Sequence, residues 1–436
     1  MLFFIYELIW KTLIPFLRLH PRLAEGFAER RLEKRLPKAD IWIQAASVGE
    51  AGLAAEILRE LRPLRPLTIL LTANTRQGVE ILQDTAGTCP CSSRGISRFY
   101  VRYFPFDTPS LMKKAVRQVD PLLMVLLETE IWPGLLAALK DAGTRSLILN
   151  GRISPRSLKR YSIISSICPS VWKSLRPDWI LAISPEDAKR FGILFGREGI
   201  ATMSNIKFDR IPLHPAKAGV QNSLRLFIPS SRPFIVLGSV RQEEEKEVEK
   251  IIRRLLSQCP DVCIGLFPRH FHRVSFWENR LQGLKISALR RSQFSFHSPA
   301  AVMNCSVLLW DTFGELADAY DLADAAFVGG SLAPLGGQNF LEPVIYGLVP
   351  VIGPYRNHFQ WVGTDIFEKG LVRTGRDWQE VSDVLIRDIQ NIGKTGNNAR
   401  SLRKKTARQY FAAHRGGSRQ ACRVIESAMN GEFLTP

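Results

Sequence analysis

Along this chain, short apolar runs alternate with stretches whose hydrophobic residues have the spacing of a helix. Short apolar runs such as "IWIQAA", "LTILLTA" and "RSLILNG" have the length of buried strands, and a stretch with helical spacing follows each one. We interpret "YFPFD", "LLMVLL" and "WILAIS" as further strands of the same series. Apolar strands that alternate with helices are typical of parallel βαβ units. The pattern therefore predicts a doubly wound α/β sheet, with its site at the carboxyl ends of the strands.

The proline-rich stretch "RIPLHPAKAGVQNSLRLFIPSSRP" interrupts this alternation, because its prolines break regular structure. A second series follows, with "FIVLGS", "VCIGLFP", "VLLW", "AAFVGG" and "VPVIGP" as strands and a last long helix from about Ser401 to Met429. Two Rossmann-like domains with a cleft between them are the predicted outcome. The predicted bounds are 1–20 for an N-terminal helix, 21–212 for the first domain, 213–233 for a linker, and 234–436 for the second domain with its C-terminal helix.

The N-terminal stretch "MLFFIYELIWKTLIPFLRL" is strongly apolar, but Glu7, Lys11 and Arg18 interrupt it. No charge-free run approaches the roughly 20 residues that a membrane-spanning helix needs. On a helix the three charges share one stripe and apolar residues cover much of the rest, which is typical of a helix lying in a membrane interface. The basic segment 30–35 just behind it strengthens this prediction. The alternative is a buried helix that packs on its own domain.

The charge balance favours an anionic partner. The 436 residues include 59 Lys and Arg against 41 Asp and Glu, a formal net charge of +18. Such a charge suits nucleic acid, anionic lipid or a phosphorylated substrate. The basic residues recur throughout the chain, and neither a recognised nucleic-acid fold signature nor an aromatic-basic stripe accompanies them. We therefore predict no nucleic-acid partner.

The cysteine and histidine patterns give no support for a metal site. The seven cysteines are an odd number and form no C-x-x-C pair, which argues against a disulfide framework or a zinc site and favours a reducing compartment. His270-Phe271-His272 lacks a convincing third ligand, and the sequence contains no D-x-D pair. A Rossmann dehydrogenase would have G-x-G-x-x-G after its first strand, and "AASVGEAG" does not match.

Polar residues at three places in the first half are candidates for chemistry. Ser47-x-x-Glu50 fits a capping box, but a carboxylate beside a glycine-containing turn is also a possible general base. Glu128 and Glu130 follow the strand "LLMVLL", and alternation puts both on one side of an extended chain unless a turn separates them. Lys207 is either a solvated surface charge or a cation that offsets charge on a leaving group.

Three loops are candidates in the second half. "FPRH" places Arg269 and His270 after a strand, and "WDTFGEL" lies between a short strand and a helix. The glycine-rich "FVGGSLAPLGGQNFLEP" brings Asn339 to a predicted helix start, where backbone amides can hold a phosphate. Glu342 then either completes a capping box with Asn339 or accepts hydrogen bonds from ribose hydroxyls.

The motifs "AASVGE", "ETEIWP", "NGRIS", "NIKFD", "PRH", "DTFGELADAYDLADAAFVGGSLAPLGGQNFLEP" and "GPYRNHF" occur in this order from about Ile41 through the second domain. In this the chain resembles the 3-deoxy-D-manno-octulosonic acid (Kdo) transferases of lipopolysaccharide synthesis, glycosyltransferase family 30. The resemblance implies a GT-B fold and transfer of Kdo from CMP-Kdo to a lipid A precursor, lipid IVA. It also implies that neither metal nor cofactor takes part, and that the protein works at the cytoplasmic face of the cell inner membrane.

The resemblance also implies roles for individual residues. Glu50 matches the family's proton acceptor, and Glu130 and Lys207 match its transition-state stabilisers. The implied CMP contacts are Pro268, Arg269, Phe313, Gly314, Glu315, Asn339, Phe340, Leu341 and Glu342.

The chain departs from the family pattern at a few positions. Arg241 stands where the family often has His, Glu243 replaces Gly, Gln338 replaces His and Phe340 replaces Pro. The stretch "GTCPCSSRGIS" around Cys89 has no family counterpart, and we expect a loop there.

Overall fold

The computed structural model describes residues 2–88, 95–213, 222–228, 231–294, 304–392 and 396–431. The chain forms two compact units, Met1–Arg210 with His414–Pro436, and Ile211–Ala413. Each unit contains a parallel seven-stranded sheet with helices. This confirms the predicted α/β architecture of two doubly wound domains. Residues 214–221 and 229–230 of the predicted linker, and residues 89–94 of the loop expected around Cys89, lie outside the described residues.

The first unit is built on a sheet in the order β3-β2-β1-β4-β5-β6-β7. Its strands are β1 (Ile41–Ala45), β2 (Leu67–Ala73), β3 (Ile96–Tyr103), β4 (Leu123–Leu127), β5 (Arg145–Gly151), β6 (Trp179–Ala182) and β7 (Ile200–Thr202). Its helices up to that point are α1 (Leu2–Leu17), α2 (Pro21–Ala24), α3 (Phe27–Arg30), α4 (Val48–Glu60), α5 (Arg76–Thr88), α6 (Pro109–Val119), α7 (Pro133–Ala142), α8 (Pro155–Ile167), α9 (Val171–Ser174) and α10 (Pro185–Phe195).

The first sheet is covered on both faces. Ile41 and Ile43 of β1 enter one hydrophobic core together with α4, and Trp42 enters the other. Strands buried on both faces show continuous apolar runs, which is why their sequences identified them. The strand order reverses between β1 and β4, and in such sheets ligands bind outside the carboxyl ends of the strands at this reversal.

The second unit has the strand order β10-β11-β9-β8-β12-β13-β14, which reverses between β8 and β12. Its strands are β8 (Phe234–Val240), β9 (Cys263–Pro268), β10 (Ala288–Arg290), β11 (Val307–Leu309), β12 (Ala325–Val328), β13 (Val351–Ile352) and β14 (Arg373–Thr374). Its helices are α11 (Glu245–Gln258), α12 (Val274–Gly283), α13 (Leu316–Leu322), α14 (Leu341–Ile345), α15 (Asp365–Glu368), α16 (Trp378–Gln390) and α17 (Gly396–His414), the last of which reaches the boundary of the unit.

One predicted strand was wrong. The strand next to β2 is "ISRFYVRY", and "YFPFD" follows it as irregular chain from Phe104 onward. β3 is an edge strand with exposed positions, so its apolar signal is weak, and Pro105 in "YFPFD" cannot donate to a sheet.

The predicted long C-terminal helix and its domain assignment also need correction. The helix is two helices, α17 and α18 (Gly417–Asn430), and Gly416 between them has φ +102°, a left-handed conformation that favours glycine. Ala421, Cys422 and Ile425 of α18 are buried in a core of the first unit, next to α4. The second domain therefore ends at Ala413 and does not extend to 436. An amphipathic pattern shows that a helix has a buried face, but it does not identify the partner.

The N-terminal helix α1 packs on the first unit along one side and is exposed along the other. The Tyr6 hydroxyl donates to Asp107 Oδ2 (2.9 Å), the Ser110 backbone N–H donates to Glu7 Oε2 (2.9 Å), and the Trp10 ring lies 6.0 Å from the Phe106 ring. The exposed side carries Phe4, Ile5, Leu8, Ile9, Leu13 and Phe16. Within the described residues, no helix combines the length and the apolar character needed to cross a membrane.

Candidate active site

Glu50 lies at the start of α4, directly after β1. The Ser47 backbone N–H donates to Glu50 Oε2 (2.8 Å), and the Glu50 backbone N–H donates to Ser47 Oγ (3.4 Å). The capping box is therefore confirmed. It holds the Glu50 carboxylate at the carboxyl end of β1 with 8% of the residue exposed. The assignment of Glu50 as a general base stays a prediction, and the cap gives it a fixed position.

The surroundings of Glu50 disfavour its charge. Burial, followed by the charges of Glu130 and Glu128, raises the pKa of Glu50 to about 8, although the hydrogen bonds from Ser47 oppose the rise. A carboxylate whose pKa lies near the working pH is a stronger base than an ordinary one, and it is still ionised in a useful fraction of molecules. The site is therefore suited to accepting a proton.

Glu130 is held by a buried chain of polar side chains across β1 and β2. Its Oε2 accepts from Trp132 Nε1 (2.6 Å) and Gln44 Nε2 (3.2 Å). The Gln44 amide is itself oriented, because Thr72 Oγ1 donates to its Oε1 (2.6 Å) and Trp42 Nε1 donates to Thr72 Oγ1 (2.8 Å). Burial raises the pKa of Glu130, and the bonds from Trp132 and Gln44 oppose that rise. Glu130 is thus oriented and partly charge-compensated.

Glu128 and Glu130 have different partners, because a turn separates them. Glu128 has φ +57°, so the chain is not extended there and the predicted alternation does not hold. Glu128 Oε1 lies 2.5 Å from Lys207 Nζ. This ion pair joins Lys207 to the acidic cluster, since Glu128 also raises the pKa of Glu50. The structure thus brings together Glu50, Glu130 and Lys207.

Two residues near these acids, Gln44 and Asn150, were not among the sequence candidates, and Glu128 was a candidate without a predicted partner. Glu128 pairs with Lys207, Gln44 orients Glu130, and Asn150 accepts from the Ile206 backbone N–H through Oδ1 (2.8 Å), which holds the turn that carries Lys207. The signals were a glutamine inside a buried strand and the motif "NGRIS", and neither pattern identifies a partner.

The loops after β9 and β11 meet in the second unit. Pro268 is buried at the end of β9, Arg269 is exposed, and the Arg269 backbone N–H donates to Val240 O (2.8 Å). The Phe313 residue is 88% exposed, and its ring lies 4.1 Å from the Phe271 ring. Pro268, Arg269, Phe313 and Gly314 therefore belong to neighbouring loops.

The carboxylate of Glu315 is hydrogen-bonded to side chains of its own unit. It accepts hydrogen bonds from Trp310 Nε1 (2.8 Å), Thr312 Oγ1 (2.7 Å) and Arg291 Nη2 (2.8 Å). Burial acts to raise its pKa, but the hydrogen bonds from Thr312, Trp310 and Arg291 outweigh burial and hold the pKa below its usual value. Glu315 thus shapes the loop that carries Phe313.

The run Asn339 to Glu342 differs from the prediction. The predicted capping box is wrong, because the N-cap of the five-residue helix α14 is Phe340, and Asn339 Oδ1 accepts from the Leu341 backbone N–H (3.2 Å). The side chains of Phe340 and Leu341 are buried, so a ligand reaches their backbone at most. Asn339 is exposed, and burial raises the pKa of the half-buried Glu342.

No group of three or more His, Cys, Asp or Glu side chains in the described part of the chain is arranged to hold a metal ion. The metal-independent chemistry stays a prediction.

Solved structures share this fold. A glycosyltransferase from Rickettsia africae matches with a TM-score of 0.55 at 10% identity, covering 91% of this chain and 100% of that chain. A UDP-GlcNAc 2-epimerase from Neisseria meningitidis matches with a TM-score of 0.54 at 11% identity, covering 90% and 100%. At such identities the likeness shows the fold alone. The class that the fold defines is the GT-B type, with two parallel-sheet α/β units.

Sequence comparison defines the family. The family model described as "3-Deoxy-D-manno-octulosonic-acid transferase (kdotransferase)" matches residues 21–210. The chain is 31% identical to the 3-deoxy-D-manno-octulosonic acid transferase of Haemophilus influenzae over 344 residues, covering 78% of this chain and 77% of that protein. It is 28% identical to the same-named protein of Bordetella pertussis over 391 residues, covering 89% and 87%. The chain belongs to the Kdo transferase family of lipopolysaccharide biosynthesis, a family of glycosyltransferases, so the resemblance in its motifs is confirmed.

Proposed function

We propose that this protein is an inverting glycosyltransferase that moves Kdo from CMP-Kdo to a lipid A precursor, lipid IVA. The observation that carries the mechanism is the Glu50 carboxylate, which its capping box fixes and whose pKa burial and the nearby acids raise to about 8. The names of the related proteins support Kdo as the transferred sugar.

In the proposed reaction, Glu50 takes the proton from an acceptor hydroxyl. The hydroxyl oxygen forms a bond to the anomeric carbon of Kdo, and the bond from that carbon to the CMP phosphate oxygen breaks. CMP leaves with the electron pair of that bond. A general base of this kind contributes about 10²–10⁴-fold to the rate.

Glu130 and Lys207 are the proposed electrostatic partners of this step. The Glu130 carboxylate, oriented by Gln44 and Trp132, stabilises positive charge on the anomeric carbon. The Lys207 ammonium offsets the negative charge of the departing phosphate. No metal ion or cofactor takes part in the proposed reaction. The nucleotide contacts lie in the second unit, around Arg269, Phe313 and the run from Asn339 to Glu342.

We also propose that the protein lies on the cytoplasmic face of the inner membrane. The apolar exposed side of α1 provides the contact, with Phe4 at 74% and Phe16 at 68% exposure. The net charge of +18 favours anionic lipid, and a lipid A precursor carries phosphates itself. Flotation with phosphatidylglycerol vesicles tests this, and a chain that stays with the soluble fraction contradicts it.

A transfer assay tests the proposed function. Purified protein, CMP-Kdo and lipid IVA are expected to give a product whose mass increases by one or more Kdo units. CMP should inhibit the reaction while UDP does not. Inhibition by UDP alone, with no Kdo product, would identify a GT-B transferase with another donor. The masses of the products also show how many Kdo units are added.

A further inference from the structure

The strands of the second sheet reverse order between β8 and β12, and the chain after each strand meets there. The Gly329 backbone N–H donates to Gly238 O (2.8 Å). A Cβ at Gly329 would lie 2.4 Å from Glu244 Oε1 and 2.8 Å from Ser239 O, so a larger residue does not fit. This close approach places the glycine-rich loop against Glu244 at the edge where such sheets bind ligands.

The amides of that loop are already used by an internal carboxylate. Glu244 is fully buried, and its oxygens accept from four backbone N–H groups. The donors are Arg241 (3.0 Å), Gly330 (2.5 Å), Ser331 (3.1 Å) and Leu332 (3.1 Å). A cluster of backbone N–H groups of this kind commonly binds a phosphate. Here the glutamate fills it, so a nucleotide phosphate needs another source of positive charge.

Arginine side chains provide that charge at the same edge. Arg241 directly follows β8, and Arg269 directly follows β9, joined to β8 by the bond from its backbone N–H to Val240 O (2.8 Å). Burial lowers the pKa of His270, and the charges of Arg241, His272 and Arg269 act in the same direction.

The guanidinium of Arg241 retains unused hydrogen-bonding capacity. Within the described part of the chain, its Nε is buried and has no hydrogen-bond partner. Its Nη2 lies 3.6 Å from Glu243 Oε1, which is too long for a hydrogen bond. A buried N–H donor without a partner is costly, and a bound anion would remove that cost.

We propose that Arg241 binds the phosphate of the donor nucleotide, with Arg269 beside it, while Glu244 takes the loop amides that would otherwise do so. This inference rests on the proposed function, because it takes the nucleotide to be the ligand of the second unit. Guanidinium pairs well with phosphate through charge-assisted hydrogen bonds.

Calorimetric titration of the full chain with CMP and with cytidine tests the proposal, because the two probes differ only in the phosphate. The wild type should bind CMP more tightly than cytidine. Arg241→Gln should weaken CMP binding by about 10- to 100-fold and leave cytidine binding unchanged. Arg241→Lys should retain part of the preference for CMP. Arg253→Gln, an exposed arginine on α11, is the matched control and should bind like the wild type.

The outcomes separate the inference from the proposed function. If the wild type binds CMP and Arg241→Gln binds it equally well, the inference fails and the proposed function stands. Equal losses for CMP and cytidine also overturn the inference, because they indicate a damaged loop. A larger KM for CMP-Kdo with unchanged CMP affinity would assign Arg241 to the Kdo carboxylate and overturn it too. If the wild type binds no CMP, the proposed donor is wrong, and the inference falls with it.

Discussion

The carboxyl edges of the two sheets both bury a glutamate, but they satisfy it differently. In the first unit, Glu50 has one backbone donor for its carboxylate, from Ser47, and nearby acids that disfavour its charge. In the second unit, Glu244 has four backbone donors. Burial raises the pKa of both carboxyl groups, and for Glu244 the amide bonds oppose that rise.

This difference separates a chemical role from a structural one. A carboxylate with few donors and acidic neighbours gains from taking a proton, so Glu50 is suited to act as a base. The four amide donors of Glu244 oppose the effect of burial and join its carboxylate to the loop, so Glu244 holds the loop in shape. Burial alone does not distinguish the two, whereas the number of donors does.

The largest expected effect is on turnover. Glu50→Gln should lower kcat about 10²–10⁴-fold, because an amide keeps the shape and the bond from Ser47 but cannot accept a proton. The measurement is the rate of Kdo transfer from CMP-Kdo to lipid IVA. Glu60→Gln, at an exposed position on the same helix, should behave like the wild type. A folded Glu50→Gln protein with near-normal turnover would show that Glu50 is not the base.

Glu244→Gln, in contrast to Glu50→Gln, should mainly affect stability. Its NH₂ group would face backbone N–H donors, so we expect a loss of about 2–4 kcal/mol in the free energy of unfolding. Urea unfolding of the purified variants measures it, with the neighbouring exposed Glu243→Gln as control. If Glu244→Gln is as stable as the wild type, the four bonds to the loop are not a structural clamp.

The pH dependence tests the charge state of Glu50. Below about pH 8 the carboxyl group increasingly holds its proton. The value of kcat/KM should therefore rise about tenfold per pH unit in the acidic range and level off above that pKa. A profile that stays flat from about pH 6 to pH 9 argues against a base with a raised pKa.

The same shift affects stability, with a definite sign. The folded-state pKa of Glu50 is raised from its ordinary value of 4.5 to about 8. Its contribution to stability is complete below about pH 4.5 and is lost as the pH rises through 8. Glu50→Gln, which has no such charge, should gain stability relative to the wild type across that window. A constant difference in the free energy of unfolding over this range would contradict the shift.

The sequence identified the strands that are buried on both faces. It missed very short strands and the features that depend on contacts between distant parts of the chain. β2 and β5 have the predicted bounds, because strands covered on both faces are continuous apolar runs. The edge strands β10 and β14, with three and two residues, are too short to give a pattern. α18 was recognised as a helix, but its position in the first unit depends on contacts far along the chain.

The same distinction applies to the site. Glu50 was found because its capping box is local, with its two ends three positions apart. The pair of Glu128 and Lys207 spans 79 positions, and the bond from the Gly330 backbone N–H to Glu244 spans 86, so no spacing rule indicates either. Asn339 and Glu342 have the spacing of a capping box, yet the chain folds otherwise there, because Asn339 instead bonds to the Leu341 backbone N–H.

Asp107 is intermediate between Glu50 and Glu244 in its number of backbone donors. Removal of its third donor, the Tyr6 hydroxyl, has the smallest expected effect on stability. It accepts from the backbone N–H groups of Gly134 (2.9 Å) and Leu135 (2.7 Å) and from the Tyr6 hydroxyl of α1 (2.9 Å). Burial raises the pKa of Asp107 to about 7, and these three bonds oppose the rise. Tyr6→Phe removes one donor without removing the ring, so we expect a loss of about 1 kcal/mol in the free energy of unfolding.

That loss should itself depend on pH. The Tyr6 hydroxyl stabilises the ionised form of Asp107, so the difference between wild type and Tyr6→Phe should be largest above about pH 7 and shrink below it. Urea unfolding of the two proteins at several pH values measures the loss and its pH dependence. A loss equal at all pH values would mean that the Tyr6 hydroxyl acts through packing of α1 and does not compensate the charge. Asp107 would then resemble Glu244, whose backbone donors alone satisfy it.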